Sequence, residues 1–234
     1  MMLRRIAVTL ALLTTAALAA CTDTDEPTGT TTKNTTVHLF NATSDAKSLD
    51  LITAGGAVET GNGNIAFGTA SGCTKVNSAD TLALRVAGGS TNLPNFAVSL
   101  APNRSYLIVV AGPSASPTVT TFDVTFSSPG ATMSAVTVVN ATLTATSGPY
   151  DVYLNPGATL GDPVATKVDR NTASAYFFVP PGKTNTVRLT KTEETGTVLN
   201  ITAPSQDAGA AQALIVIDPA SGATPRSFAV PYCT

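Results

Sequence analysis

Apolar residues recur along the chain in short runs of two kinds. In residues 82–86 the Leu and Val side chains fall on one face of an extended chain, and Arg85 falls on the other. Residues 106–110 and 214–217 are instead continuously apolar. The first kind of run predicts a strand that is buried on one face, and the second predicts central strands that are covered on both faces.

Clusters of Gly, Pro and Asn separate these runs at short intervals, and β-branched Thr and Val are common within them. Such residues favour turns and pleated strands respectively. Strong helix formers other than Ala are scarce. We therefore predict an all-β protein, in which about seven short strands per half build a β-sandwich of immunoglobulin-like architecture.

The two halves of the chain resemble each other in four blocks that occur in the same order. The tripeptide Asn-Ala-Thr occurs in both copies of the first block. The offset between matching blocks drifts along the chain, as expected when insertions collect in loops. The paired blocks are residues 36–43 with 135–142, 48–51 with 149–152, 81–86 with 186–189, and 107–110 with 214–217.

The N-terminal segment is typical of an export signal. Arg4 and Arg5 precede an uncharged and mostly apolar run over residues 6–20. As a helix this run spans about 22 Å, which is short of the roughly 30 Å thickness of a hydrocarbon core. The segment therefore predicts a cleaved signal peptide and not a permanent membrane span.

The motif Leu18-Ala19-Ala20-Cys21 resembles the bacterial lipobox, where small residues precede a cysteine that receives diacylglycerol. We expect cleavage before Cys21 and lipidation of that cysteine, because several acyl chains on one residue give stable membrane anchoring. Thr22 stands where an Asp would favour retention at the inner membrane, so an outer-membrane location is expected. The alternative is a plain secretory signal followed by an accidental cysteine.

These patterns predict a chain of four parts. A lipoprotein signal peptide (1–20) is followed by the lipidated cysteine and a disordered, polar tether (21–35). Two tandem sandwich domains follow, over residues 36–130 and 131–234, with their boundary at Pro129-Gly130. Chance similarity between two strand-rich halves is the alternative to a true repeat.

Short motifs in both halves are similar to those of one bacterial family: Asn-Ala-Thr-Ser-Asp-Ala at 41–46, Val-Thr-Val-Val-Asn-Ala at 136–141, Tyr-Asp-Val-Tyr-Leu at 150–154 and Val-Pro-Pro-Gly at 179–182. In these motifs the chain resembles the family called domain of unknown function 4397, or DUF4397. Asn41 and Ser44 replace the His and Pro that the family usually shows. The resemblance implies tandem sandwich repeats behind a lipoprotein signal, and it implies no activity.

Two cysteines remain after maturation, Cys73 and Cys233. An even pair in an oxidising compartment favours a disulfide. Such a bond would tie the C-terminal end to the first repeat, with a chain-entropy contribution of about 5 kcal/mol. The alternative is two unpaired or intermolecular thiols.

Three polar residues are candidates for reactive groups. His38 is the only histidine, and its place in the first predicted strand indicates a surface-facing residue and not a catalytic base or metal ligand. Asp50 and Asp151 occupy matching positions, which predicts a repeated structural role such as a hydrogen bond to a neighbouring turn. A glycosidase would instead need both carboxylates in one cleft, about 5–10 Å apart.

The remaining features exclude several function classes. Charged residues make up 12% of the chain and the net charge is −2, so no basic surface is present to attract nucleic acid. Residues 61–66 fit a relaxed dinucleotide-binding fingerprint, but no amphipathic helix follows them, and a tight turn is expected.

We therefore expect a non-enzymatic binding or interaction module, anchored to the membrane by its N-terminal lipid, without metal or cofactor. Its partner would be a glycan, another envelope protein or an external surface. One alternative is a structural subunit of an envelope assembly whose sheet edges pair with partner chains. A third, less favoured, is an envelope hydrolase that uses His38, Asp50 or Asp151.

Overall fold

The computed structural model describes most of the chain beyond residue 33. Within the described residues the chain forms fifteen β-strands and no helix, so the predicted all-β class is confirmed. No helix there is long and apolar enough to cross a bilayer. The predicted signal peptide, Cys21 and the tether up to residue 33 lie outside the described residues, which are 34–45, 47–52, 62–94, 96, 98–126, 128–144, 148–155, 157, 159–218 and 224–233.

The first half forms two sheets from six strands: β1 (Thr35–Thr43), β2 (Leu49–Ile52), β3 (Thr74–Val76), β4 (Ala83–Val86), β5 (Ser105–Gly112) and β6 (Thr118–Asp123). The larger sheet has the order β3-β1-β5-β6, and β2 pairs with β4 in the second sheet. Strands β1 and β5 are parallel at the centre of the larger sheet, with Val37 opposite Tyr106.

The second half forms two sheets from nine strands: β7 (Ser134–Asn140), β8 (Tyr150–Leu154), β9 (Ala165–Val168), β10 (Thr172–Ala173), β11 (Phe177–Val179), β12 (Asn185–Lys191), β13 (Thr197–Ala203), β14 (Ala211–Ile217) and β15 (Arg226–Pro231). One sheet has the order β10-β7-β14-β15, and β11 also pairs with β7. The other has the order β13-β12-β8-β9. Strands β7 and β14 are parallel, as β1 and β5 are.

The strand arrangements of the two halves correspond. Each half has a central parallel pair, β1 with β5 and β7 with β14, and the later strand of each pair is followed by an antiparallel edge strand, β6 or β15. Each half also has an antiparallel pair in a separate sheet, β2 with β4 and β8 with β12. The four blocks of similar sequence lie on these equivalent strands, so their order in the chain follows a common topology.

The two larger sheets, β3-β1-β5-β6 and β10-β7-β14-β15, pack face to face and are called the inner sheets below. The outer sheets, β2-β4 and β13-β12-β8-β9, cover their other faces. Along β5, Leu107 and Val109 belong to the core between the inner sheets, whereas Ile108 and Val110 belong to the core under β2 and β4. The same alternation occurs along β14. The prediction of central strands covered on both faces is therefore confirmed.

Phe228, on β15 of the second half, packs against the first half. Its ring centroid lies 5.2 Å from that of Phe40 and 6.0 Å from that of Phe67. Gly68 has a φ of +74°, and a Cβ there would lie 2.6 Å from the Phe228 ring. Both the turn and the close approach therefore require glycine at this position.

Phe126, which follows β6 of the first half, makes the corresponding contact with the second half. Its ring centroid lies 5.6 Å from that of Tyr176 and 6.2 Å from that of Tyr232. The Tyr176 hydroxyl also donates a hydrogen bond across the interface to the Val124 carbonyl, at 3.0 Å. Each half thus contributes an aromatic ring that packs against the other half.

Cys73 and Cys233 form a disulfide, the pairing that the sequence favoured, with their Cα atoms 5.6 Å apart. Cys73 precedes β3 and Cys233 follows β15, so the bond joins the first half to the end of the second and closes a loop of 160 residues. A loop of this length corresponds to about 5 kcal/mol of lost unfolded-state entropy. The described residues form one compact unit.

The repeated Asn-Ala-Thr tripeptide forms the same hydrogen-bonded motif at the ends of β1 and β7. The side chains of Asn41 and Asn140 are fully buried. Each donates to the carbonyl of a residue distant in the sequence, at 2.8 Å to Ile65 and 3.1 Å to Val168. Each also accepts hydrogen bonds from the backbone N–H and the hydroxyl of the threonine two residues further on. The motif therefore fixes the chain where β1 and β7 end.

Replacing Asn140 by Ala should lower the free energy of unfolding by about 2–4 kcal/mol, because the hydrogen bonds of its buried amide are lost together. Urea unfolding monitored by tyrosine fluorescence measures this change. Asn200→Ala is the matched control, since Asn200 is exposed and surface substitutions usually stay within about 0.5 kcal/mol. Equal midpoints for the two variants would show that the motif does not stabilise the fold.

Candidate functional site

A cleft of about 330 Å³ opens where the two parallel strand pairs, β1 with β5 and β7 with β14, end. Parallel pairing places the C-terminal ends of β1 and β5 at one edge of their sheet, and the same holds for β7 and β14. The packing of the inner sheets brings these two edges together. The lining residues are Ala42, Ser44, Ala111, Gly112, Pro113, Ala141, Leu143, Thr144, Ile217 and Asp218.

The floor of the cleft is apolar and made mostly of small side chains. Ala42, Ala111, Ala141 and Ile217 are all at most 5% exposed and belong to the core between the inner sheets. Ala42 and Ala141 are the central residues of the two Asn-Ala-Thr motifs. Since each Asn is turned into its own half, the following Ala faces the space between the halves.

The rim of the cleft is more polar and more exposed. Ser44, Pro113 and Thr144 are exposed, and Leu143 is an exposed large apolar residue at 36%. Gly112 has a φ of +83°, so β5 ends in a backbone conformation that favours glycine. The cleft therefore combines a small apolar base with hydroxyl groups and a carboxylate at its mouth.

Asp218 fixes the backbone on one side of the mouth. Its carboxylate accepts hydrogen bonds from the backbone N–H groups of Leu143, at 2.5 Å, and Thr144, at 2.6 Å. Arg170 donates to the Leu143 carbonyl at 3.1 Å. These contacts hold the exposed Leu143 side chain over the cleft, so the rim is preformed on this side.

Asp45 fixes the opposite side, next to Ser44. Its carboxylate accepts hydrogen bonds from the hydroxyl and the backbone N–H of Ser114, and the Lys47 ammonium lies 4.0 Å away. Burial raises the pKa of Asp45, but the hydrogen bonds from Ser114 and the charge of Lys47 outweigh it and lower the pKa overall. Asp45 is therefore ionised at neutral pH.

His38 does not face solvent, so the sequence-based expectation for this residue is wrong. It is 6% exposed and lies on the same face of β1 as Phe40 and Ala42, toward the other half of the molecule. The expectation assumed that one face of the first strand would be open, whereas packing of the inner sheets covers both. Burial lowers the pKa of His38, although a hydrogen bond with the backbone of Ser71 partly opposes it.

Asp50 and Asp151 have the repeated structural role that their matching positions predicted. The Asp50 carboxylate accepts a hydrogen bond from the backbone N–H of Asn64, and Asp151 accepts one from the backbone N–H of Lys167, both at 2.8 Å. Asn64 and Lys167 both have positive φ, at 53° and 50°. Each carboxylate thus holds a residue of positive φ in its own half, Asn64 in a bend and Lys167 within β9. Asp50 is also paired with Arg85, at 3.8 Å.

The candidate residues of a hydrolase are not brought together. Asp50 lies on β2 and Asp151 on β8, in outer sheets on opposite sides of the molecule, and His38 lies between the inner sheets. Within the dinucleotide-like segment, residues 62–66 form bends and a bridge, and the described residues after them form no helix. Gly61 lies outside the described residues.

Comparison with protein families gives a match to the first half of the chain and the start of the second. Residues 35–147 match the model of DUF4397, described as a domain of unknown function. This DUF4397 match covers slightly less than half of the chain. It extends past Gly130 into β7 and includes every residue lining the cleft except Ile217 and Asp218. No curated protein matches the chain significantly.

The stability of the protein should fall as the pH falls below 6.5, the ordinary pKa of histidine. The unfolded chain binds a proton on His38 in this range and the folded chain resists it, so unfolding is favoured by up to about 1.4 kcal/mol per pH unit. Urea unfolding between neutral pH and about pH 5 measures this slope. Carboxyl groups change their protonation mainly below this range, so they contribute little to the slope.

His38 is the only histidine in the chain, so His38→Gln provides a direct control. Its unfolding free energy should be flat over the same range. If the unfolding free energies of the wild type and His38→Gln changed with pH in parallel, His38 would not be the source of the pH dependence.

Proposed function

We propose that this protein is a lipid-anchored interaction module of the cell envelope, built from two tandem DUF4397-like domains, and that its cleft binds an apolar side chain of a partner polypeptide. The match to DUF4397 over residues 35–147 supports the first domain. The corresponding strand order of the second half supports a second copy. The observation that carries the binding proposal is the cleft at the ends of the parallel strands.

The size and lining of the cleft favour a side chain over a large ligand. Its volume, about 330 Å³, lies at the lower end of the range of about 300–1,000 Å³ typical of ligand pockets. The base is formed by Ala42, Ala111, Ala141 and Ile217, which offer apolar contact and little hydrogen bonding. Ser44 and Thr144 at the mouth can bond to the backbone of an approaching polypeptide.

A glycan is the less favoured ligand. Aromatic side chains that could stack against a sugar ring are absent from the described lining of the cleft. The aromatic residues of the interface are instead used within the fold, where Phe228 packs against Phe40 and Phe126 packs against Tyr176. Polypeptide recognition needs only an apolar base and polar groups at the rim, which this cleft provides.

A non-enzymatic role is supported by where the titratable groups lie. Asp45 and Asp218 both lie near the mouth of the cleft, but each carboxylate already accepts two hydrogen bonds that hold a loop. His38, Asp50 and Asp151 lie in three different layers. This placement supports binding over hydrolysis, which needs an acid and a base aimed at one substrate.

Membrane attachment rests on the N-terminal sequence. Residues 6–20 are apolar and end in Leu18-Ala19-Ala20-Cys21, which resembles a lipobox. We propose that the chain is exported, cut before Cys21 and acylated there, with an outer-membrane destination favoured by Thr22. The polar residues that follow would let the module extend away from the membrane surface.

Leu143→Asp should weaken binding of an apolar anchor, because it places a charge over the base of the cleft. Peptides selected against the full chain from a displayed library of random linear sequences are the probe, and titration calorimetry measures their affinity. We expect a loss of at least about 10-fold, or about 1.4 kcal/mol. Val164→Asp is the matched control, since Val164 is also an exposed large apolar residue, at 40%, but does not line the cleft.

Two results would overturn this proposal. Selected peptides that bind Leu143→Asp as tightly as the wild type would show that the cleft is not their site. The second result is that the selection yields no peptides, while immobilised glycans bind the wild type and not Leu143→Asp. The ligand of the cleft would then be a sugar and not a polypeptide.

Cys21→Ala should release the protein from the membrane fraction. The wild type, expressed with its own leader in a lipoprotein-processing bacterium, should have the intact mass of residues 21–234 plus a diacylglycerol group and any further acyl chain. Detergent-phase partition and mass spectrometry of the wild type and Cys21→Ala provide the comparison. A wild type that is unacylated and soluble would contradict the anchoring proposal without affecting the cleft.

A further inference from the structure

His38, Cys73 and Cys233 lie together where the two halves meet. One ring nitrogen of His38 and the two sulfurs all lie within 4.8 Å of one another. His38 comes from β1, Cys73 from the segment before β3 and Cys233 from the segment after β15. The fold therefore assembles from distant parts of the chain three donors of the types that zinc prefers.

The His38 side chain is buried with one ring nitrogen unused. It is 6% exposed, and its Nδ1 has no hydrogen-bond partner among the described residues. Buried polar atoms are normally paired, because an unpaired one costs about 1–3 kcal/mol. The backbone of Ser71 also interacts with the ring, and a metal-binding histidine usually has such a second contact. The buried ring therefore keeps one nitrogen that makes no hydrogen bond within the described residues.

We propose that reduction of the Cys73–Cys233 disulfide converts this cluster into a zinc site, with the two thiolates and the His38 imidazole as ligands and solvent in the fourth position. Zinc bonds of about 2.3 Å to sulfur and 2.0–2.1 Å to nitrogen place tetrahedral ligand atoms about 3.5–3.8 Å apart. The His38 nitrogen and the two sulfurs already lie within 4.8 Å of one another, and the bonded sulfurs would have to separate. Rotation of the two cysteine side chains supplies the remaining change.

The reduction is a two-electron step. A small dithiol attacks the disulfide and leaves as its own cyclic disulfide, and its two electrons and two protons pass to Cys73 and Cys233 as thiols. Zinc then replaces both thiol protons, which are released to solvent, and binds the neutral imidazole of His38. The bond is accessible to such an attack, because Cys73 is exposed and Cys233 borders a cleft of about 340 Å³.

The proposed zinc site would keep the two halves joined in the reduced protein. Cys233 belongs to the end of the second half, and both His38 and Cys73 belong to the first. A bound zinc would therefore link the same segments that the disulfide links. This inference does not depend on the proposed cleft or on the lipid anchor.

Cobalt(II) is the spectroscopic probe, since it replaces zinc in tetrahedral sites and its thiolate complexes absorb strongly. The protein is the full chain with Cys21→Ala, so that Cys73 and Cys233 supply every thiol. It is reduced anaerobically with a water-soluble phosphine and titrated with cobalt, which is then displaced with zinc. We expect one cobalt per reduced chain, with thiolate charge-transfer and tetrahedral d–d bands, and none in the oxidised chain.

His38→Gln in the same background keeps both thiols and should bind zinc at least about 10-fold more weakly, because loss even of a residue that supports a ligand costs 10- to 100-fold. Cys73→Ser keeps His38 and should lose the charge-transfer band. Absence of this band in the reduced wild type would overturn the proposal. So would equal zinc affinity of the wild type and His38→Gln, which is also the result expected if a reduced, unfolded chain binds zinc through its cysteines alone.

Discussion

The packing of one inner sheet against the other is the interaction on which the rest of the structure depends. It covers the second face of β1, β5, β7 and β14, whose residues are apolar on both sides. Without it, each half would expose Phe40 and Leu107, or Val139 and Ile215, to water. Burial of apolar surface is the main stabilising term in folding, so we expect the two halves to fold and unfold together. The disulfide adds a covalent link to an interface that is already apolar.

The local structure could be predicted from the sequence, whereas the association of the halves could not. Continuously apolar runs indicated that β5 and β14 are covered on both sides, and recurrence of Asp50 and Asp151 indicated a structural role in each half. His38 shows the limit of this reasoning. Its neighbours in the chain describe a strand, but it is buried against residues that are distant in the sequence, among them Cys73 and Cys233. Nothing in the residues around His38 indicates that the second half of the molecule packs on this face of β1. The sequence alone therefore predicts that one face of the strand is open.

The cleft, like the burial of His38, could not be predicted because it forms only when the two halves associate. Its base contains alanines, a glycine nearby and an isoleucine, none of which carries a chemical signature that a sequence search would single out. It exists because two parallel strand pairs end at the same level and small side chains leave space between them. The equivalence of Ala42 and Ala141, each following a buried Asn, is the sequence feature that could have indicated it. A binding surface that forms only where two similar halves pack together is therefore difficult to recognise from the sequence of either half.

The buried amides of Asn41 and Asn140 have a practical consequence for producing this protein. Both begin an Asn-x-Thr sequence, the acceptor for N-linked glycosylation in a eukaryotic secretory pathway. Both side chains are fully enclosed once the sheets close. A sugar attached to the emerging chain would leave either amide unable to enter its site, so secretion from a glycosylating host would yield chains that cannot complete the fold, whereas bacterial expression avoids this obstacle.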